Sequence, residues 1–125
     1  MKTTFAMTLC AVSFACSAGD DPRQSLANQL AACSAAFADA AAAGEASRAS
    51  RLGYAGKNQL QLAMRLADRS VTSATLSTER KALAERRADP AGAAALDASF
   101  ERRSDECNRL IEHNMAVIDS LRDGR

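Results

Sequence analysis

The chain has 125 residues, with 16 Lys and Arg against 15 Asp and Glu, for a net charge of +1. One domain is the expectation at this length, and a near-neutral chain lacks the basic footprint of a nucleic-acid binder or a polybasic membrane patch. Alanine runs at 40–43 and 93–95, only 4% aromatics and no Trp point to a helix-rich chain with a thin core, because Ala favours helix but buries little area.

Residues 1–18 read as a secretory signal peptide. Lys2 supplies a positive start, 5–14 (FAMTLCAVSF) is an uncharged apolar run, and Ala15-Cys16-Ser17-Ala18 offers small residues for cleavage. The apolar run is too short to span a membrane comfortably and has signal-peptide flanks. The expected organisation is a signal over 1–18 and a single helical domain over 19–125, periplasmic or secreted, with no transmembrane segment in the mature chain. Removing residues 1–18 leaves 107 residues with 15 basic and 15 acidic side chains. A lipoprotein anchored at an acylated Cys16 is the second route. Of Ser13-Phe14-Ala15 only Ala15 suits a lipobox, which favours cleavage near Ala18.

The mature chain then keeps two cysteines, Cys33 and Cys107. In an oxidising compartment such a pair tends to form a disulfide. The loop it closes, roughly 75 residues, would contribute about 4.5 kcal/mol in the chain-entropy model. A thin core gives that crosslink a structural use.

A first helix is predicted from Pro22 to about Ala43, with Asp21 as N-cap, Pro22 at N1 and Gln24 completing a capping box. Leu26, Leu30, Cys33, Phe37 and Ala40 form one stripe, so the Cys33 sulfur should point inward. Gly44 is a natural stop. A second helix is predicted from 45 or 46 to about 70, with an apolar arc wide enough for two neighbours. Gly53 and Gly56 within it suit close approach of another helix. Residues 70–78 (SVTSATLST) predict the following connection, and a third helix from 78 to 88 with Ser77 as N-cap and Leu76 and Leu83 as anchors. Asp89-Pro90 marks a break. A long last helix follows, from 91 or 93 to 122. Leu96, Phe100, Arg103, Cys107, Leu110, Asn114, Val117 and Leu121 repeat along it at spacings of three and four. The fold class is therefore all-α, a small bundle of three to four helices stapled by one disulfide.

Leu110 with Ile111, and Val117 with Ile118, double the stripe near the C-terminus, and Leu121 extends it. This surface is expected either to meet the second helix or to face a protein partner or a second copy of the chain.

No motif commits the chain to a chemistry. His113 stands alone beside Arg109 and Glu106, too isolated for zinc. Cys33 and Cys107 are not a close pair in sequence, so neither zinc nor thioredoxin-like chemistry is indicated. No phosphate loop, nucleophile elbow, zinc-protease helix or haem attachment sequence occurs, and no cofactor is expected. Arg86-Arg87 and Arg102-Arg103 read as solvated helix faces, with an anion site as the sharper and weaker reading. An enzyme is not expected. The leading expectation is a non-enzymatic protein-interaction or envelope-associated module. The alternative is a small-ligand carrier with a pocket lined by Leu side chains, Met64, Phe100 and Tyr54.

Leu30-Ala31-Ala32-Cys33-Ser34-Ala35-Ala36-Phe37 and Glu106-Cys107-Asn108-Arg109-Leu110-Ile111 together resemble a type of small exported bacterial all-helical protein, largely uncharacterised, with one early and one late cysteine. The resemblance implies export, an α-fold and a disulfide, and no catalytic residue.

Overall fold

A computed structural model describes residues 21–122. The expected signal peptide, its cleavage site and Cys16 lie outside the described residues. Five helices follow one another: α1 (Pro22–Ala43), α2 (Ala46–Leu66), α3 (Arg69–Arg87), α4 (Pro90–His113) and α5 (Met115–Arg122), with no strand among the described residues. The bundle is all-α as expected, with five helices rather than three to four. The shifted start of the third helix and the extra break in the last one have identifiable causes.

Helix α1 is the hub. Its start follows from Asp21, whose side chain accepts from the Arg23 N–H at 3.0 Å, and from Pro22 in the first turn. Gln24 does not complete a capping box. Its amide nitrogen donates instead to Asn28 and Thr72, and its oxygen accepts from the Asp68 N–H. This side chain thus ties α1 to the start of α3. The stripe of Leu26, Leu30, Cys33 and Phe37 is buried, and so is a second face carrying Ala27, Ala31, Ser34 and Ala35. That face lies about 80–180° round the helix from Leu26. A helix apolar on most sides is one surrounded by neighbours, and α2, α3 and α4 all pack on it.

Helix α2 approaches α1 through Gly56. A Cβ there would stand 3.3 Å from the Ser34 carbonyl oxygen and 3.4 Å from the Phe37 Cβ, whereas one at Gly53 would meet nothing within 4 Å. Of the two glycines, only Gly56 serves close approach. Gly53→Ala is expected to stabilise the protein by about 0.5–1 kcal/mol through helix propensity. Gly56→Val should destabilise it by pushing α2 off α1. Urea unfolding of the two variants checks both signs.

The expected connection at residues 70–78 is instead helical and belongs to α3, and the N-cap is Asp68 rather than Ser77, which lies exposed inside the helix. The Asp68 side chain accepts from the N–H groups of Ser70 at 2.8 Å and Val71 at 3.1 Å. These bonds, that to Val71 first, hold its carboxyl below the usual carboxylate value. The contribution of this cap is present above the ordinary carboxylate range and is lost as pH falls through the lowered pKa. Inside the helix, the Thr72 and Thr75 hydroxyls donate back to the Asp68 and Val71 carbonyls. Ser, Thr and Val each cost a few tenths of a kcal/mol of propensity, and a capped start with a buried Thr72 tied to Gln24 outweighs that sum. Leu76 and Leu83 are half-buried.

The break at Asp89-Pro90 is as expected. Asp89 caps α4 by accepting from the Gly92 N–H at 3.0 Å. The turn is tight enough that a Cβ on Gly92 would run into the Arg86 carbonyl.

The long last helix is interrupted at Asn114, and the cause is the asparagine itself. Its amide nitrogen donates to the Leu110 carbonyl at 2.7 Å, taking the acceptor that a continuous helix would give to the Asn114 backbone. The displaced backbone N–H turns to Ile111, and this local competition is characteristic of Asn. Helix α5 then packs against α2.

Two apolar clusters result. One joins Leu26, Ala27 and Leu30 of α1 to Ala63 and Leu66 of α2 and Leu121 of α5. The other gathers Cys33, Phe37, Phe100 and Cys107, with Leu52 and Ala55 against it. Phe37 and Phe100 meet edge to face, with centroids 5.3 Å apart, a favoured aromatic geometry.

Candidate binding groove

The Cys33 and Cys107 sulfurs lie within bonding distance, and the Cα atoms are 6.0 Å apart, inside the range a disulfide requires. Both residues are buried. The pair joins α1 to α4, next to the Phe37–Phe100 contact.

The five residues expected on a partner-facing stripe are used within the chain. Ile118 and Leu121 are each only 5% exposed. Leu110, Ile111 and Val117 are half-buried and pack against the cluster that holds Leu26, Leu66 and Leu121. Residues on both sides of the break at Asn114 thus pack on the same cluster. Ile118→Asp is accordingly expected to lower stability by roughly 2–4 kcal/mol, the cost of an unpaired charge in a packed site. Chemical denaturation reads that loss. Lost association with an unchanged unfolding midpoint would return the face to a partner.

The residues of the expected carrier pocket are not gathered together. Phe100 is in the core, Met64 lines an open cleft on α2 beside Arg65 and Arg69, and Tyr54 is 70% exposed. His113 is exposed at the end of α4. Among the described residues, no group of three or more His, Cys, Asp or Glu is arranged to hold a metal, and no helix is long and apolar enough to cross a membrane.

What the fold does assemble is a cleft of about 200 Å³ between α1, α3 and α4. Its floor is apolar, with Leu83 of α3, Leu96 and Phe100 of α4, and Ala36 and Ala40 of α1. Its walls carry both arginine pairs, Arg86-Arg87 and Arg102-Arg103, with Asp39, Asp97 and Glu106. The turn at Asp89 folds α4 back along α3, and this reversal brings together pairs that are 16 positions apart in the chain.

The four arginines differ in environment. Arg87 is committed: its Nε and Nη2 donate to the two Asp39 carboxylate oxygens at 2.8 and 2.7 Å, and Nη2 also donates to Asp97 at 3.1 Å. The Asp39 bonds first, then that to Asp97, raise the guanidinium pKa above its ordinary value. A two-pronged Arg–carboxylate pair of this kind fixes geometry as well as charge. It clamps α3 to α1 at the cleft edge, with side chains only 24% and 15% exposed. Arg86, Arg102 and Arg103 are exposed and make no ion pair among the described residues.

Both arginine pairs are visible in the sequence, but their convergence is not. The symmetry of the hairpin signals only that Leu83 and Leu96, at equal distances either side of Asp89-Pro90, face each other. The arginine pairs stand at unequal distances from the turn, so it does not foretell their convergence. Against protein-family models, curated proteins and solved structures, the chain shows no significant match.

Proposed function

We propose that this chain is an exported, non-enzymatic helical binding module that works by contact with another protein, in the cell envelope or outside the cell. The observation that carries the reading is the α3–α4 cleft, which pairs an apolar floor with uncommitted cations at its edge. Its lining sets four arginines and three carboxylates around Leu83, Leu96 and Phe100, more polar than the predominantly apolar lining usual for small-molecule sites. Such a mixed surface suits side chains of a protein partner. Export is supported by the signal-like segment at residues 1–18 and by the pairing geometry of Cys33 and Cys107.

Native mass spectrometry of the protein recovered from an envelope or culture fraction tests the reading. A retained protein partner supports it, a retained small mass favours a carrier, and recovery of the bare chain alone counts against both. N-terminal sequencing of the same material should begin near Gly19. A start at an acylated Cys16 would make it an anchored lipoprotein, and a retained Met1 would remove export.

A further inference from the structure

Resting on that reading, we propose that the α3–α4 cleft takes an acidic peptide segment of a partner protein, with one apolar side chain on the floor and flanking carboxylates on Arg86, Arg102 and Arg103. Charge comes first. The lining carries four arginines against three carboxylates, Asp39, Asp97 and Glu106. Both aspartates are taken up by Arg87, so Arg86, Arg102 and Arg103 stand without an ion pair among the described residues, at a cleft with a single positive charge in excess. The cleft edge is thus positive in a chain that is almost neutral overall. Guanidinium groups bind carboxylates through paired N–H donors and lie flat against apolar surface, which suits them to the rim of such a floor.

Shape separates a peptide from a lone anion. A second cleft, lined by Ala43, Gly44 and Arg48, shares Ala40, Asp97 and Phe100 with the first. The two form one trough with Arg48 at its far end. There Arg48 lies over the Phe100 ring, 5.4 Å from its centroid, and only an exposed 3.4 Å contact with Glu101 holds its charge. Cations at both ends of an apolar-floored trough match an extended segment with acidic residues on either side of a hydrophobic one. A compact anion would use one end only.

The experiment is selection of a 12-residue random peptide library on the oxidised mature chain, followed by anisotropy titration of the recovered peptides. Acidic peptides with a central Leu, Ile or Phe are expected. Their affinity should fall at least tenfold for Arg86→Glu/Arg102→Glu/Arg103→Glu, and in the same direction for the glutamine triple variant. Arg69→Glu, exposed at the start of α3 and lining the separate Met64 cleft, should leave it unchanged. Circular dichroism establishes that the variants are folded. A natural partner still retained by the triple variant would leave the binding-module reading standing and sink the cleft. Selection of neutral or basic peptides, equal binding by the folded triple variant, or displacement of the peptides by a short oligonucleotide at equal charge would overturn the proposal.

Discussion

Cys33→Ser is expected to lower stability by about 2–5 kcal/mol and to leave a substantial unfolded fraction at 37 °C. The two cysteines are 74 positions apart. Closing a loop of that length restricts the unfolded chain by about 4.5 kcal/mol on the chain-entropy account. The folded side points the same way. Helix α1 lies along α2 and α3 for much of its length, whereas α4 meets it chiefly at the cysteine pair and the Phe37–Phe100 contact. The bridge therefore sits at the main contact between α4 and α1. A serine also puts a hydroxyl into a buried apolar cluster, and the thiol left on Cys107 packs as a small hydrophobe. Non-reducing peptide mapping should recover Cys33 and Cys107 as one crosslinked pair. Reduced wild-type protein should unfold close to the midpoint of the variant. Free thiols at both positions in exported material, or an unchanged midpoint, would show that the fold does not depend on the bridge.

Leu30→Ala is expected to cost about 2–5 kcal/mol, toward the upper half of that range. Leu30 is fully buried at the centre of the cluster that joins α1, α2 and α5. Its neighbours Ala27, Ala31 and Ala63 are too short to fill the space left behind. The helices cannot close over it either, because Gly56 already brings α2 against the α1 backbone. Total stabilities of small domains run from about 5 to 15 kcal/mol, so this one truncation removes a large share. In urea the midpoint should fall with little change in slope. The half-buried Leu52, truncated in the same way, should cost markedly less, and equal losses at the two sites would refute this picture of the core.

Where local chemistry and tertiary packing agree, the sequence reads well. Asp21-Pro22 starts α1 and Asp89-Pro90 separates α3 from α4, as their capping chemistry requires. The Cys33 and Cys107 stripes do bring the two residues together. The errors fall where a particular side-chain hydrogen bond decides. Residues 70–78 are poor helix formers taken alone. They become helical through Asp68 before them and Gln24 on another helix. Asn114 fits the heptad-like spacing and so passes as a polar residue on a continuous stripe, although its own side chain breaks the helix. The groove is the hardest to read, because it depends on where a turn sends two arginine pairs rather than on either pair.

The joint at Asn114 also divides the protein in time. Helix α5 has eight residues, too few to stay helical in water on its own, so its order depends on Val117 and Leu121 packing in the cluster shared with Ala63 and Leu66 of α2. A continuous helix would pass stability from α4 into its last two turns. A jointed one lets those turns detach and re-form while the rest stays closed. Hydrogen exchange at residues 115–121 should therefore run through brief local openings well below the global unfolding free energy. Amides around Cys33 should exchange only when the whole molecule opens.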